Sequence, residues 1–234
     1  MWGFIDCTRY FLSFGAPKVV LHDATLIVET RERVGLLVPS GEGKSTIIRM
    51  LAGVEQPDSG IVLRDDGGWP LGYTGAFRPE LTGEENIRKF ATIVGLDPSD
   101  FSAFCADFAQ LGEAYFHPLR FYSARMRARL AFSASLGIPA TTYLADDKIS
   151  AGDDSFREKC EAALLDRLRH AGLIFVASNP GATKDICERH GVVSRGKIIL
   201  CDTHEEAKYL FEENFQGDQI DEIVDEELPS FDLA

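Results

Sequence analysis

The residues best able to do chemistry stand together between positions 34 and 46, in the run Val-Gly-Leu-Leu-Val-Pro-Ser-Gly-Glu-Gly-Lys-Ser-Thr. An apolar stretch leads into a glycine-bearing loop that ends in Gly43, Lys44, Ser45 and Thr46. Ile47, Ile48 and Leu51 then continue at helical spacing. A strand, a glycine loop and a helix in this order form a P-loop pattern, which holds phosphate. Gly41 and Gly43 let the backbone turn its N–H groups toward phosphate oxygens, and the helix adds its positive end. Lys44 is placed to reach the β- and γ-phosphates, and the Ser45 hydroxyl to sit on Mg²⁺. A plain strand–turn–helix with a surface lysine is the bland alternative, and both the tetrad and its placement speak against it. Two residues depart from the pattern. Val38 occupies the place of its first glycine, where valine disfavours positive φ and Pro39 holds it extended. Glu42 sets a carboxylate beside the phosphates. Both changes predict weakened rather than abolished binding.

A phosphate loop of this kind needs an acid at the end of a second buried strand to hold the metal. The run Thr-Tyr-Leu-Ala-Asp at 142–146 supplies Asp146, and Asp147 follows where a general base could address an attacking water. A carboxylate pair ending an apolar run could also cap a helix. The five histidines, His22, His117, His170, His190 and His204, form no constellation in sequence and read as structural or solvated. The five cysteines are scattered and odd in number, with no CxxC pair. Neither a disulfide framework nor a zinc site is expected, and a reducing cytoplasmic compartment fits.

These groups must be carried by a layered scaffold. Apolar, β-branched runs recur at 26–29, 34–38, 60–63, 143–145, 173–177, 191–194 and 197–201, with Arg195-Gly196 reading as a hairpin turn between the last two. Helical patterns fall at 45–51, 154–169 and 182–189. The alternation predicts an α/β domain with a P-loop core. Residues from about 82 to 140, rich in Phe and Ala, read as an all-helical insertion. The 234 residues are 45% apolar and 26% charged, ordinary values for a globular chain with a full core. Nine of the 37 acids lie in 212–234, which contains no Lys or Arg; the remaining 28 face 24 bases. The body is only mildly acidic, which argues against a nucleic-acid binder. Within the tail, Ile220, Ile223, Val224 and Leu228 could line one amphipathic helix, and a solvated terminus is the equal alternative. The N-terminal residues lack the apolar core of a signal peptide, and no run reaches the ~20 apolar residues that span a bilayer.

With these motifs placed, the chain from about residue 3 to 210 resembles the ATP-binding subunits of ABC transporters. The likeness is nearest to the subfamily that exports capsular and related polysaccharides. It rests on Val-Leu-His-Asp at 20–23, Gln-Pro-Asp-Ser-Gly at 56–60, and Trp-Pro-Leu-Gly at 69–72 leading to Leu-Thr-Gly-Glu-Glu-Asn-Ile at 81–87. Further on come Tyr122-Ser123 with Arg-Ala-Arg-Leu-Ala-Phe at 127–132, and Gly-Asp-Asp-Ser-Phe-Arg-Glu-Lys-Cys at 152–160. The resemblance implies an ATPase core of the RecA-like type with an inserted helical subdomain, covering 1–211, with 212–234 as an acidic tail. It implies two subunits sandwiching two ATP molecules, each site completed by the partner's signature loop. Phe11 (or Tyr10) would stack on adenine. Lys44, Ser45 and Thr46 would hold phosphates and Mg²⁺, with Asp146 on the metal. Asp147 takes the place of the catalytic Glu, Ser123 begins the signature loop, and Asp153 lies in the loop crossing the dimer interface.

The departures cluster at the chemistry. Asp147 is one methylene shorter than the family Glu, which could displace a general base by roughly an ångström. Asn179 replaces the switch His. The loop between Gly72 and Leu81 lacks Gln, with Arg78 near its place. Ala124 and Arg125 replace two small signature residues, and Arg125 either blocks the partner's γ-phosphate or supplies it with a positive charge. Together they imply an impaired or specialised ATPase. The function this implies is export of a polysaccharide through a membrane permease, driven by a pair of ATP-binding subunits peripheral to the cytoplasmic face of the inner (plasma) membrane. A nucleotide-binding pseudoenzyme that regulates a permease is the alternative.

Overall fold

The computed structural model describes residues 1–13, 16–73, 75–147 and 154–217. In chain order the elements are β1 (Trp2–Ser13), β2 (Ala16–Val28), β3 (Arg33–Leu37), α1 (Lys44–Leu51), β4 (Ser59–Leu63) and β5 (Gly68–Pro70). They continue with α2 (Gly83–Ile93), α3 (Pro98–Ala109), α4 (Ala124–Gly137), β6 (Thr142–Asp146), α5 (Asp154–Arg167) and β7 (Gly172–Ala177). The last are α6 (Pro180–Thr183), β8 (Arg189–Ser194), β9 (Lys197–Cys201) and α7 (His204–Gly217). Two sheets form. An antiparallel one has the order β2-β1-β4; the other runs β5-β6-β7-β3-β8-β9, parallel except for β9.

The parallel sheet explains why its strands read as unbroken apolar runs. Every residue of β7 and four of the five in β3 are buried, because both faces are covered. On one side Leu36, Ile47, Met50 and Val176 pack with Phe4 and Leu26 of the antiparallel sheet, so α1 lies between the two sheets. On the other, Phe132, Phe156, Cys160 and Leu164 of α4 and α5 meet Tyr143 and Phe175. A third cluster, around Phe90, Phe101, Cys105 and Leu130, holds α2, α3 and α4 to one another. Helix α2 begins at a reciprocal cap: Thr82 accepts from Glu85 N–H (3.1 Å) and the Glu85 carboxylate accepts from Thr82 N–H (2.9 Å).

Three local readings are corrected. Residues 2–13, read for a targeting signal and an adenine-stacking aromatic but not as a strand, form β1, and β2 is far longer than the 26–29 run. Their period-2 pattern is broken by register shifts around Cys7 and by Asp6 in a left-handed conformation (φ 49°). The 182–189 helix is also wrong. Pro180 begins a four-residue helix that ends at Thr183, and Arg189 already pairs with Val34 in β8. The turn between them passes over Gly35, where a Cβ would run into Thr183 and Cys187. Finally, the acidic run from 212 begins inside α7, which the sequence reading did not mark as a helix. The proposed apolar stripe at Ile220–Leu228 lies outside the described residues. The 195–196 turn is seen, with both residues at positive φ (48° and 78°), as a two-residue hairpin requires.

Candidate functional site

The C-terminal ends of β3, β6 and β7 meet at one edge of the parallel sheet, where the crossovers of such sheets leave a crevice. Val38 N–H donates to the carbonyl of Ala177 (2.9 Å), so the glycine loop leaves β3 fastened to the end of β7. Val38 is fully buried and does not adopt the positive φ that valine disfavours. Gly41 (φ 89°) and Gly43 (φ 95°) supply the left-handed turns instead. Gly43 ends the loop as the N-cap of α1, and no side chain caps that helix. Its first-turn N–H groups therefore point out of the helix start without a side-chain acceptor, the arrangement that suits an anion. Glycine at 43 is required twice over, because a Cβ would also collide with Val20 on β2.

Four side chains converge on this loop. Lys44 Nζ lies 3.3 Å from the Asp147 carboxylate and 3.5 Å from the Pro39 carbonyl. The Ser45 hydroxyl donates to Asp146 (3.3 Å). Asp147 in turn accepts two hydrogen bonds from Ser178, one from its N–H (2.9 Å) and one from its hydroxyl (2.6 Å). A hydroxyl and a carboxylate side by side are hard oxygen donors. Among the described residues no cluster of three or more His, Cys, Asp or Glu could hold a metal. Ser45 and Asp146 together would give Mg²⁺ two oxygen ligands, the kind of partial shell that substrate phosphates and water complete. Bound there, Mg²⁺ would neutralise phosphate charge.

The remaining site candidates are placed differently. Thr46 is buried and its hydroxyl accepts from Arg49 of the same helix (3.0 Å). Phe11 packs against the core with the Arg9 guanidinium 4.5 Å over its ring, and Glu55 and Asp58 hold Arg9 there. A base stacking on that face would displace the guanidinium; Tyr10, the alternative, is exposed. Phe11 pairs with Lys18 of β2, and Lys18 meets Glu42 at 3.3 Å. This pair partly offsets the acid beside the phosphate loop. Both partners are two-fifths exposed, so it is worth no more than about 1 kcal/mol. Asn179 uses its side-chain oxygen to cap α6 through Gly181 N–H (2.9 Å). The Ser123 hydroxyl caps α4 by accepting from Met126 N–H (3.2 Å). Arg125 is exposed on the first turn of α4. Arg78 is held by Asn86, whose amide accepts from Arg78 N–H (2.7 Å) and donates to Arg78, Leu81 and Thr82 carbonyls. Asp153 lies outside the described residues.

Two features escaped the sequence reading. Ser178 carried no motif signal of its own. His190 and His204, 14 positions apart, are not scattered in the fold: their rings meet edge to face at 4.9 Å. His204 Nε2 hydrogen-bonds the Pro180 carbonyl (2.8 Å), beside Asn179. A cleft of about 330 Å³ opens on the other side of the loop, between Pro39 and Glu42, the 193–196 hairpin and Glu213 of α7.

Comparison with known proteins adds to this geometry. The family model described as ABC transporter matches residues 21–147. The chain is 37% identical to the ATP-binding protein BexA of Haemophilus influenzae, over 81% of its own length and 88% of that protein. It is 36% identical to the capsule polysaccharide export ATP-binding protein CtrD of Neisseria meningitidis serogroup B, over 82% and 89%. A polysialic acid transport ATP-binding protein, KpsT of Escherichia coli, is 31% identical over 83% and 88%. Among solved structures, an ATP-binding subunit of an ABC transporter superposes with a TM-score of 0.75 at 17% identity, covering 92% of this chain and 94% of that one. A dimeric ATP-binding cassette bound to ADP and Pi gives 0.69 at 20% identity, covering 85% and 96%. The structural likenesses establish the fold, an ABC-type ATPase core.

Proposed function

The chain belongs to the ABC transporter family, and from that premise we propose that it is the ATP-binding subunit of a polysaccharide exporter of the capsular type. The observation that carries this is the convergence of Lys44, Ser45, Asp146 and Asp147 at one strand edge, in a chain so similar to a capsule polysaccharide export protein. Lys44 and the α1 N-terminus bind the phosphates of ATP. Ser45 and Asp146 hold Mg²⁺. Asp147 accepts the proton of the attacking water, which forms the new bond to the γ-phosphorus as the bond to the bridging oxygen breaks, giving ADP and phosphate. Phe11 or Tyr10 receives the adenine. Ser123 and Arg125 face the second ATP-binding subunit, which completes the site.

The motor works on a membrane permease. No helix among the described residues is long and apolar enough to cross a membrane. In this reading the subunit is peripheral, held by its permease at the cytoplasmic face of the inner membrane. Residues 1–211 form the ATP-binding domain, with the helices between about 82 and 140 as its helical subdomain. The shortened Asp147 and the Asn179 in place of the switch His make turnover slow. The alternative of a regulator without turnover finds no support in the relatives described above.

Steady-state ATPase activity of the assembled complex, with polysaccharide export measured in cells, tests the reading. It expects hydrolysis that depends on Lys44 and export that is lost with Lys44→Ala. Export unaffected by Lys44→Ala overturns it.

A further inference from the structure

Asp147 sits one residue beyond β6 and Ser178 one residue beyond β7, and the parallel register that aligns Asp146 with Val176 brings the two strand ends side by side. Ser178 engages both oxygens of the carboxylate. Its N–H donates to Oδ1 at 2.9 Å and its hydroxyl to Oδ2 at 2.6 Å, the short distance of an O–H group donating to a carboxylate. The third contact, Lys44 Nζ to Oδ2, is an ion pair. It cannot persist unchanged when Lys44 turns to a phosphate, because the ammonium then has a stronger anion to serve. A carboxylate held by Lys44 alone would follow it or swing away. With the Ser178 clamp in place, two of the three contacts survive that exchange. Asn179, the next residue, does not compete for the role, since its side-chain oxygen caps α6.

We propose that Ser178 is a positioning residue for Asp147: it fixes the short carboxylate at the strand end when Lys44 leaves it for phosphate. Each carboxylate oxygen has two lone-pair sites. Oδ1, with one bond from Ser178 N–H, keeps one directed acceptor for a water. An aspartate has one torsion fewer than a glutamate, so two bonds suffice to fix its orientation. The inference rests on the reading of Asp147 as the base; its experiment separates the two.

The test is ATPase activity of the full-length protein assembled with its permease, for wild type, Ser178→Ala, Ser178→Thr and Asp147→Asn. Ser178→Ala keeps the backbone N–H and loses the hydroxyl, so kcat is expected to fall by roughly 10- to 100-fold, the penalty of a slackened geometry, while KM for ATP stays within about twofold. Ser178→Thr restores the hydroxyl and should recover most of kcat, which a merely structural role for the side chain would not produce. Asp147→Asn should be slower than Ser178→Ala. An unchanged kcat in Ser178→Ala, or a Thr variant as slow as the Ala variant, overturns the inference while Asp147→Asn still loses activity. An Asp147→Asn assembly as fast as wild type, or a wild type without turnover, overturns the reading of Asp147 and this inference with it. Thermal melts of each variant confirm that the folded fraction is equal.

Discussion

At the scale of single residues, the phosphate loop is unusual in composition but complete in geometry. Val38 costs it one glycine, yet Gly41 and Gly43 still supply the two left-handed turns, and α1 still starts without a capping side chain. Lys44→Ala should lower ATP affinity by roughly 30-fold or more, since an unpaired phosphate charge in a partly dry site costs about 2–5 kcal/mol. Calorimetry of the two proteins checks this, and equal affinities would refute the assignment. The proposed impairment of the catalytic set predicts a second outcome. General-base assistance is typically worth about 10²–10⁴-fold, so Asp147→Glu with Asn179→His should raise turnover while changing ATP affinity little. The gains need not multiply, because groups acting on one step are non-additive. Asn179→His also removes the cap of α6, at a cost of about 1 kcal/mol in stability. Arg125→Gly belongs in the same series, because Arg125 lies exposed on the first turn of α4, the face proposed to meet the second subunit. A wild type with turnover usual for the family, unchanged by all three reversions, would refute the impaired set and leave Arg78 as the residue in the missing role.

At the scale of elements, two short pieces of chain decide where the site residues stand. The first is the start of α1, where Gly43 is fixed by its φ and by Val20 of the neighbouring sheet. Gly43→Ala should both destabilise the fold and weaken ATP binding, because the added methyl forces β2 and the phosphate loop apart. A chemical melt beside a binding titration measures the two effects; an alanine variant that binds ATP as wild type would show that the loop can shift without loss. The second is the 78–86 segment. Asn86, only 3% exposed, spends its amide on three carbonyls and one N–H of that loop. Its burial is tolerable because each polar atom is bonded, and the consequence is a fixed backbone under Arg78.

At the scale of the whole molecule, a buried histidine pair ties the sheet to α7. Burial holds His190 below its ordinary pKa, and the neighbouring His204 adds to the effect while Glu205 opposes it. Lys184 in turn pairs with Glu205 (3.6 Å). The folded chain thus keeps His190 neutral in a range where the unfolded chain, with an ordinary value of about 6.5, already binds a proton. Stability is expected to be flat above that value and to fall as pH drops through and below it. Replacing His190 by Gln should flatten that acid limb in a series of thermal melts. A limb that is unchanged would place the sensitivity elsewhere, for example in the Asp97 cap, held low by Asp100 and Ser99 N–H groups, which acts only near the carboxylate range. The same scale governs location. Expressed without any permease, the subunit should remain off the membrane on fractionation, and stable membrane association there would count against its being held by a permease.

What the sequence determined by itself was local or periodic. The phosphate loop was legible because strand, glycines, Lys44 and the helix that follows are contiguous, and one strand end carries Asp146 and Asp147. The parallel strands β3, β6, β7 and β8 were legible because burial leaves unbroken apolar runs, whereas the three-residue β5 (Gly68–Pro70) is too short to announce itself. The long β1 and β2 were not, because bulges around Cys7 break the alternation that would announce them. The tertiary structure alone decided which strand ends touch. Ser178 meets Asp147 across 31 positions of sequence, and His190 meets His204 across a turn of the sheet and the start of α7. No spacing rule reaches such contacts, since they follow from the order β6-β7-β3-β8 and from the one-residue register that aligns parallel neighbours.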